Sequence, residues 1–78
     1  MAKADIEIGQ RAYKEVVRLF PTMVEAKRKL RCNSKGNIYK WSYGVAPSAR
    51  YLQRLFICGA DIEYILTGRG RKHEMPSL

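Results

Sequence analysis

Ser34-Lys35-Gly36-Asn37-Ile38-Tyr39-Lys40-Trp41-Ser42-Tyr43-Gly44 decides the fold. Ile38 and Trp41 stand three residues apart and share one face of a helix, while Lys35, Asn37, Tyr39 and Lys40 project elsewhere. Asn33 and Ser34 are both suited to cap its start, and Gly44 bounds its end. The spacing therefore predicts a short helix with an apolar face turned inward and a polar, basic face turned away. Just upstream, Thr22 and Glu25 form a Thr-x-x-Glu capping box, in which the threonine oxygen accepts from an early backbone N–H and the glutamate reaches back to the cap. Another short helix starts there, with Met23, Ala26 and Leu30 facing inward and Lys27, Arg28 and Arg31 outward. It is expected to end near Arg31 or Cys32.

A short helix, a turn of about three or four residues and a second short helix make the helix-turn-helix arrangement. The flanking sequence predicts three more helices. Upstream, Ala12, Tyr13, Val16, Val17 and Phe20 recur at helical spacing, with Arg11, Lys14, Glu15 and Arg18 on the wetter side. Pro21 ends this helix, because proline disfavours the helical conformation in the residue before it. Ahead of it Ile6 and Ile8 alternate with Asp5 and Glu7, a pattern that fits a short extended arm or the first helical turn; the reading favoured for residues 1–8 is an extended or disordered arm followed by helix. Downstream, Pro47 suits the first turn of a fourth helix with an apolar stripe of Tyr51, Leu52, Leu55, Phe56 and Cys58, which Gly59 stops. Asp61 caps a fifth helix holding Ile62, Tyr64, Ile65 and Leu66, and Gly68 is its C-terminal stop. The expectation is an all-α, five-helix domain over residues 9–68, followed by a flexible basic tail over 69–78.

Charge is distributed unevenly over this pattern. Residues 26–60 hold eight Lys and Arg and no Asp or Glu, while elsewhere seven bases balance seven acids, so the whole formal charge of +8 belongs to that stretch. Such a concentration, with a pI near 9.9, predicts a polyanionic partner. A chain of 78 residues builds only a small core, so self-association is expected as well. Cys32 and Cys58 show neither Cys-x-x-Cys nor Cys/His spacing, so neither a zinc site nor a structural disulfide is indicated. No signal-peptide pattern and no apolar run near the roughly 18 residues of a membrane span is present, so a cytoplasmic protein with reduced thiols is expected. Asp61 and Glu63 lie too close together to oppose each other across a cleft, and the lone His73 sits in the tail. No catalytic residues, no cofactor and no enzymatic activity are expected.

The segment 34–44 resembles the recognition helix of the Cro/CI-type (XRE-like) helix-turn-helix regulators, in particular small phage and prophage repressors. It shows their succession of cap, three polar positions, Ile, two polar positions, Trp, two residues and Gly. Pro47-Ser48, Leu52, Leu55 and Gly59-Ala60-Asp61-Ile62-Glu63-Tyr64-Ile65-Leu66-Thr67-Gly68 resemble the closing pair of helices, including the Leu-Thr-Gly ending. The resemblance spans roughly residues 9–68. The chain departs from the pattern where Met23, Val24 and Ala26 replace the more usual Gln and Ala, where Arg31 replaces a turn glycine, and in a turn about one residue longer. The resemblance implies a lambda-repressor-like domain that binds double-stranded operator DNA as a homodimer or higher homo-oligomer and represses transcription by occupying the operator.

With the third helix in the major groove, Ser34, Lys35 and Asn37 are the candidates for base edges, Asn bonding an adenine and Lys a guanine, and Tyr39 and Lys40 reach a base or a neighbouring phosphate. Lys27, Arg28 and Arg31 are candidate phosphate contacts, with Arg11 and Lys14 as a second basic patch. Tyr43 either bonds a phosphate or closes the loop. Trp41 belongs to the core by its spacing from Ile38. Ile62, Tyr64, Ile65 and Leu66 are the candidate oligomer contact, since so short an element carries more apolar surface than it buries alone. Release from DNA is expected to come from an antirepressor protein. The alternative is a protein-interaction module, an antitoxin or adaptor, on the same scaffold with DNA binding secondary.

Overall fold

Why α1 starts six residues earlier than its sequence pattern announces is visible in what its first turns touch. A computed structural model describes residues 3–69, so the expected tail from residue 70 onward lies outside the described residues. Five helices run in the order α1 Lys3–Leu19, α2 Met23–Lys29, α3 Gly36–Ser42, α4 Ala49–Ile57 and α5 Ile62–Thr67, with no strand among the described residues. The expected arm is therefore helical from Lys3 on. Ile8 packs against the core and Ile6 lies beside Gly44 at the end of α3, so both isoleucines serve a helix that their alternation with acids had disguised.

The closest packing pairs α1 with α3 and with α5, and α5 with α4. Backbone meets backbone where α1 crosses the end of α3. A Cβ on Gly9 would stand 2.5 Å from the Val45 carbonyl oxygen and 2.8 Å from that of Trp41. Ala12, Val16, Leu30, Ile38, Trp41, Leu55 and Ile65 form the centre of the core. The Trp41 and Tyr51 rings lie with centroids 5.7 Å apart and planes at 63°, a favourable edge-to-face geometry.

The inward face of α1 is rotated relative to the expected one. Val17 is 58% exposed, whereas Glu15, assigned to the wetter side, is completely buried. Its carboxylate accepts Arg18 Nε and Nη2, each at 2.8 Å, and the backbone N–H of Asp61 at 2.7 Å. Charge-assisted bonds of this kind are what allow a buried carboxylate to persist. The Glu15 hydrogen bond in turn holds the Arg18 guanidinium above its ordinary pKa. One helical turn away, Arg11 donates Nε to the Ile65 carbonyl at 2.9 Å and Nη2 to that of Leu66 at 3.4 Å. α1 thus grips α5 at both ends, with a carboxylate at its N-terminal cap and a guanidinium at its C-terminal carbonyls. Both signs suit the helix dipole.

Helix ends follow the local chemistry in most places. Thr22 Oγ1 accepts from the Glu25 N–H at 3.2 Å, but the Glu25 carboxylate turns to Arg28, so only the threonine half of the capping box forms. Asp61 Oδ1 accepts from the Tyr64 N–H at 3.0 Å. α3 is different. Its N-cap position is Lys35, with no side-chain hydrogen bond from Asn33, Ser34 or Lys35, and the Ser34 and Lys35 carbonyls start the helix by accepting from Asn37 and Ile38. The connection from α2 occupies the six positions 30–35, longer than the expected turn. Pro47 is buried and precedes the N-cap Ser48 rather than sitting in the first turn of α4. Leu55 is at the core as expected, whereas Phe56 is 66% exposed because the buried side of α4 runs through positions 51, 52, 55 and 58.

α2, α3 and α4 close with one shared motif, in which the second residue past the cap bonds back across the last turn. Cys32 donates to the Lys27 carbonyl at 3.0 Å, Val45 to Lys40 at 3.1 Å and Ala60 to Leu55 at 2.8 Å. The residue inside each such turn has positive φ, 103° at Gly44, 101° at Gly59 and 56° at Arg31. Arg31 alone takes this left-handed conformation with a side chain.

Candidate nucleic-acid interface

Full burial of Ile38 and Trp41 pins α3 by one face and decides which side chains it shows. Ser34, Lys35 and Lys40 are exposed and Asn37 is half-buried. Tyr39 is only partly outward, its ring 6.1 Å from that of Tyr13 on α1. Tyr43 is 80% exposed at the end of α3, so its ring does not close the loop. Ser34, Lys35, Asn37 and Lys40 therefore lie on or near one short helix with its apolar side fixed, as the sequence pattern requires.

Of the eight cations in residues 26–60, Arg28 is paired with Glu25 at 2.7 Å, and the other seven make no ion pair among the described residues. Lys27 is half-buried and Arg31 exposed. Lys14 is exposed beside a shallow cleft that also includes Glu7, Gln10 and Tyr64. Arg11, also a candidate phosphate contact, already has protein partners, since its guanidinium bonds the end of α5 and lies 3.8 Å from Glu7.

The candidate oligomer contact on α5 is corrected too. Ile65 is fully buried and Tyr64 is 9% exposed inside this single chain, Ile62 packs against the core, and only Leu66 remains largely outside. The Arg11 and Glu15 bonds press the apolar face of α5 onto α1, so the element buries what its length alone would not suggest. Large apolar side chains left in solvent include Phe56 and Ile57 at the end of α4, the latter 74% exposed, as well as Val17 on α1 and Val24 on α2.

Sequence inspection missed a second basic grouping. Lys29 and Arg31 at the end of α2 and Arg50, Gln53 and Arg54 on α4 line an open cleft of about 340 Å³. Arg50 and Arg54 are four apart and share a helix face, which is a legible signal. Their meeting with Arg31 is not. Arg54 Nη1 donates to the Leu30 carbonyl at 3.0 Å and its guanidinium lies 5.3 Å from the centre of the Tyr51 ring. Beneath this wall burial pushes the Cys32 thiol pKa up, an effect partly offset by the Tyr51 hydroxyl and the Arg54 and Lys40 charges. Cys32 and Cys58 are both free thiols.

No group of three or more potential metal ligands occurs among the described residues. No helix among them is long and apolar enough to cross a membrane. Comparison of the chain with protein-family models, with curated proteins and with solved structures finds no match.

Proposed function

We propose that this chain is a sequence-specific duplex-DNA-binding transcriptional repressor, phage or prophage encoded, of lambda-repressor-like fold and cytoplasmic. The observation that carries the reading is the block of seven cations on α2, α3, α4 and their connections that make no ion pair among the described residues, around a short helix whose other face is sealed by Ile38 and Trp41. Phosphates neutralise such a surface and release its counterions, which supplies affinity without sequence preference. Lys35, Asn37 and Lys40 on the exposed side of α3 supply the base contacts, and Arg28, Arg31 and Lys27 position the helix. Two copies of the chain place their α3 helices about one DNA turn apart on a two-fold operator. Phe56 and Ile57 are among the exposed apolar side chains available to such a contact, with Val17, Val24 and Leu66. Repression follows from occupying the operator, and an antirepressor protein relieves it by covering the basic surface or splitting the oligomer.

The decisive experiment compares binding of the purified protein to its own upstream DNA and to a scrambled duplex of equal length across a salt series. Preference for the upstream DNA with a steep salt slope is expected. Equal, weak binding to both would refute sequence-specific repression. Asn37→Ala is expected to relax preference at one base position at a cost of about 1–3 kcal/mol, whereas Arg28→Ala weakens all sequences alike. The exposure of Phe56 and Ile57 favours a second reading, an antitoxin or adaptor that mainly holds another protein. A shallow salt slope, together with a protein partner whose binding is lost on Phe56→Ser, would select it.

A further inference from the structure

Four cations around one concavity, with no carboxylate among its lining residues, repel one another across it. That is the state of the cleft between the end of α2 and the outer side of α4, where Lys29, Arg31, Arg50 and Arg54 converge with Gln53. None of the four makes an ion pair among the described residues. Two of them also occupy positions that folding disfavours. Arg31 takes the left-handed conformation that glycine supplies in the same motif at the ends of α3 and α4. Arg50 sits in the first turn of α4, at the positive end of the helix dipole, with no acidic residue in that turn. Arg54, by contrast, is braced by the Leu30 carbonyl and the Tyr51 ring.

We propose that this cleft seats a phosphate of the nucleic-acid backbone, with Arg31 and Arg50 binding its oxygens, Lys29 adding charge and Arg54 acting as a positioning residue. The inference rests on the DNA-binding reading and extends it to a backbone contact made by α4. A half-open cleft flanked by flexible basic side chains and one amide is suited to an anion that arrives attached to a larger surface. A side chain in the left-handed turn at Arg31 and a cation at the positive end of α4 at Arg50 are both costs to the free fold that a phosphate ligand would explain.

The test uses Arg50→Gln and Lys29→Gln, each titrated with a random-sequence duplex across a salt series and each melted in the absence of DNA. Each variant is expected to bind about tenfold more weakly and to lower the slope of log K against log salt by about one. Arg50→Gln is also expected to melt a few degrees higher than the wild type, because it removes a cation from the first turn of α4. A structural role for Arg50 would move affinity and melting temperature down together. Inorganic pyrophosphate, titrated without DNA, separates the sources of phosphate. Saturable pyrophosphate binding that is lost in Arg50→Gln, with an unchanged duplex slope, assigns the cleft to a free phosphate compound and overturns the proposal. Unchanged slopes in both variants, with wild-type duplex binding intact, also overturn it and leave the DNA reading standing. Absence of duplex binding by the wild type at low salt takes down that reading and the cleft with it.

Discussion

Replacing Glu15 by Ala should come close to unfolding the protein. The carboxylate is completely buried and accepts two bonds from Arg18 and one from the Asp61 N–H, the residue that caps α5. Loss of the acceptor leaves that backbone donor unsatisfied at a cost of about 1–3 kcal/mol. The void left by the shortened side chain adds to this, since truncating a long core side chain to Ala costs about 2–5 kcal/mol. The freed Arg18 recovers part of its hydration because its side chain is 37% exposed, so its share of the loss is discounted. The two costs together give an expected loss of about 3–8 kcal/mol. A domain of this size has roughly 4–12 kcal/mol in total. Urea unfolding followed by the fluorescence of Trp41, the single buried tryptophan, measures the difference. Glu15→Gln keeps an acceptor for the Asp61 N–H and should lose only about half as much. If Glu15→Ala falls within about 1 kcal/mol of the wild type, the buried carboxylate is not what ties α5 to α1, and the account of the fold given above is wrong.

Gly9→Ala should destabilise by about 1–3 kcal/mol in the same assay, because its Cβ would meet two backbone oxygens that cannot turn aside as a side chain would. Stability unchanged by this substitution would show that α1 and α3 do not cross so closely. Arg31→Gly should raise stability by about 1 kcal/mol by relieving the left-handed turn while weakening duplex binding, and a loss of stability would refute the strain. Cys58 should be alkylated well before Cys32 in the native protein, as peptide mapping by mass spectrometry would show, since Cys32 is buried with its thiol held protonated. The raised Cys32 pKa also fixes a sign. Above its ordinary value of 9.0 the unfolded chain loses this proton first, so stability should fall as pH rises into that range, and Cys32→Ala should flatten the decline.

What the sequence made legible is local. Ile38 and Trp41 at helical spacing, the Thr22 and Asp61 caps and the glycine ends of α3 and α5 all depend on neighbours within a turn or two, and each is found as expected. The misreadings occur where a distant partner decides. Glu15 and Val17 compete for the inside of α1 on equal local terms, and the Asp61 N–H, 46 positions away, gives the inside to the acid. Arg11 looks like a surface cation until the Ile65 carbonyl, 54 positions away, takes its guanidinium. The packing of α5 on α1 that these bonds accompany leaves Ile65 fully buried and Tyr64 9% exposed. At the N-terminus the error had another origin, since Ile6 and Ile8 two apart mimic the period of a strand although a helix edge accommodates both. Base-contact candidates on α3 were the most legible part of the site because they sit opposite Ile38 and Trp41. The cleft of Arg31, Arg50 and Arg54 was the least legible, because no local period joins a turn to a helix beginning some twenty residues later.

These differences share a physical logic. The carboxylates are placed where the fold must be stiff. Glu15 and Asp61 organise the start of α5, Glu7 flanks Arg11 at its end, and Glu25 is satisfied within α2. Little negative charge is left for residues 26–60, so their cations stay mutually repulsive in the free protein, and two of them sit against the preferences of their own helix ends. A chain selected for stability alone would place a glycine at position 31 and an acid at position 50, each change worth of order 1 kcal/mol or less. Keeping arginine at both is a small, localised loss within a domain whose rigidity is secured elsewhere, by α1 holding α5. On the proposed reading, binding of a polyanion would remove the repulsion and turn the same placements into affinity, because the side chains already line the cleft in which a phosphate would sit. The fold and the interface are therefore separable in this molecule: substitutions at Glu15 or Gly9 act on the first, and substitutions at Arg31 or Arg50 act on the two with opposite signs.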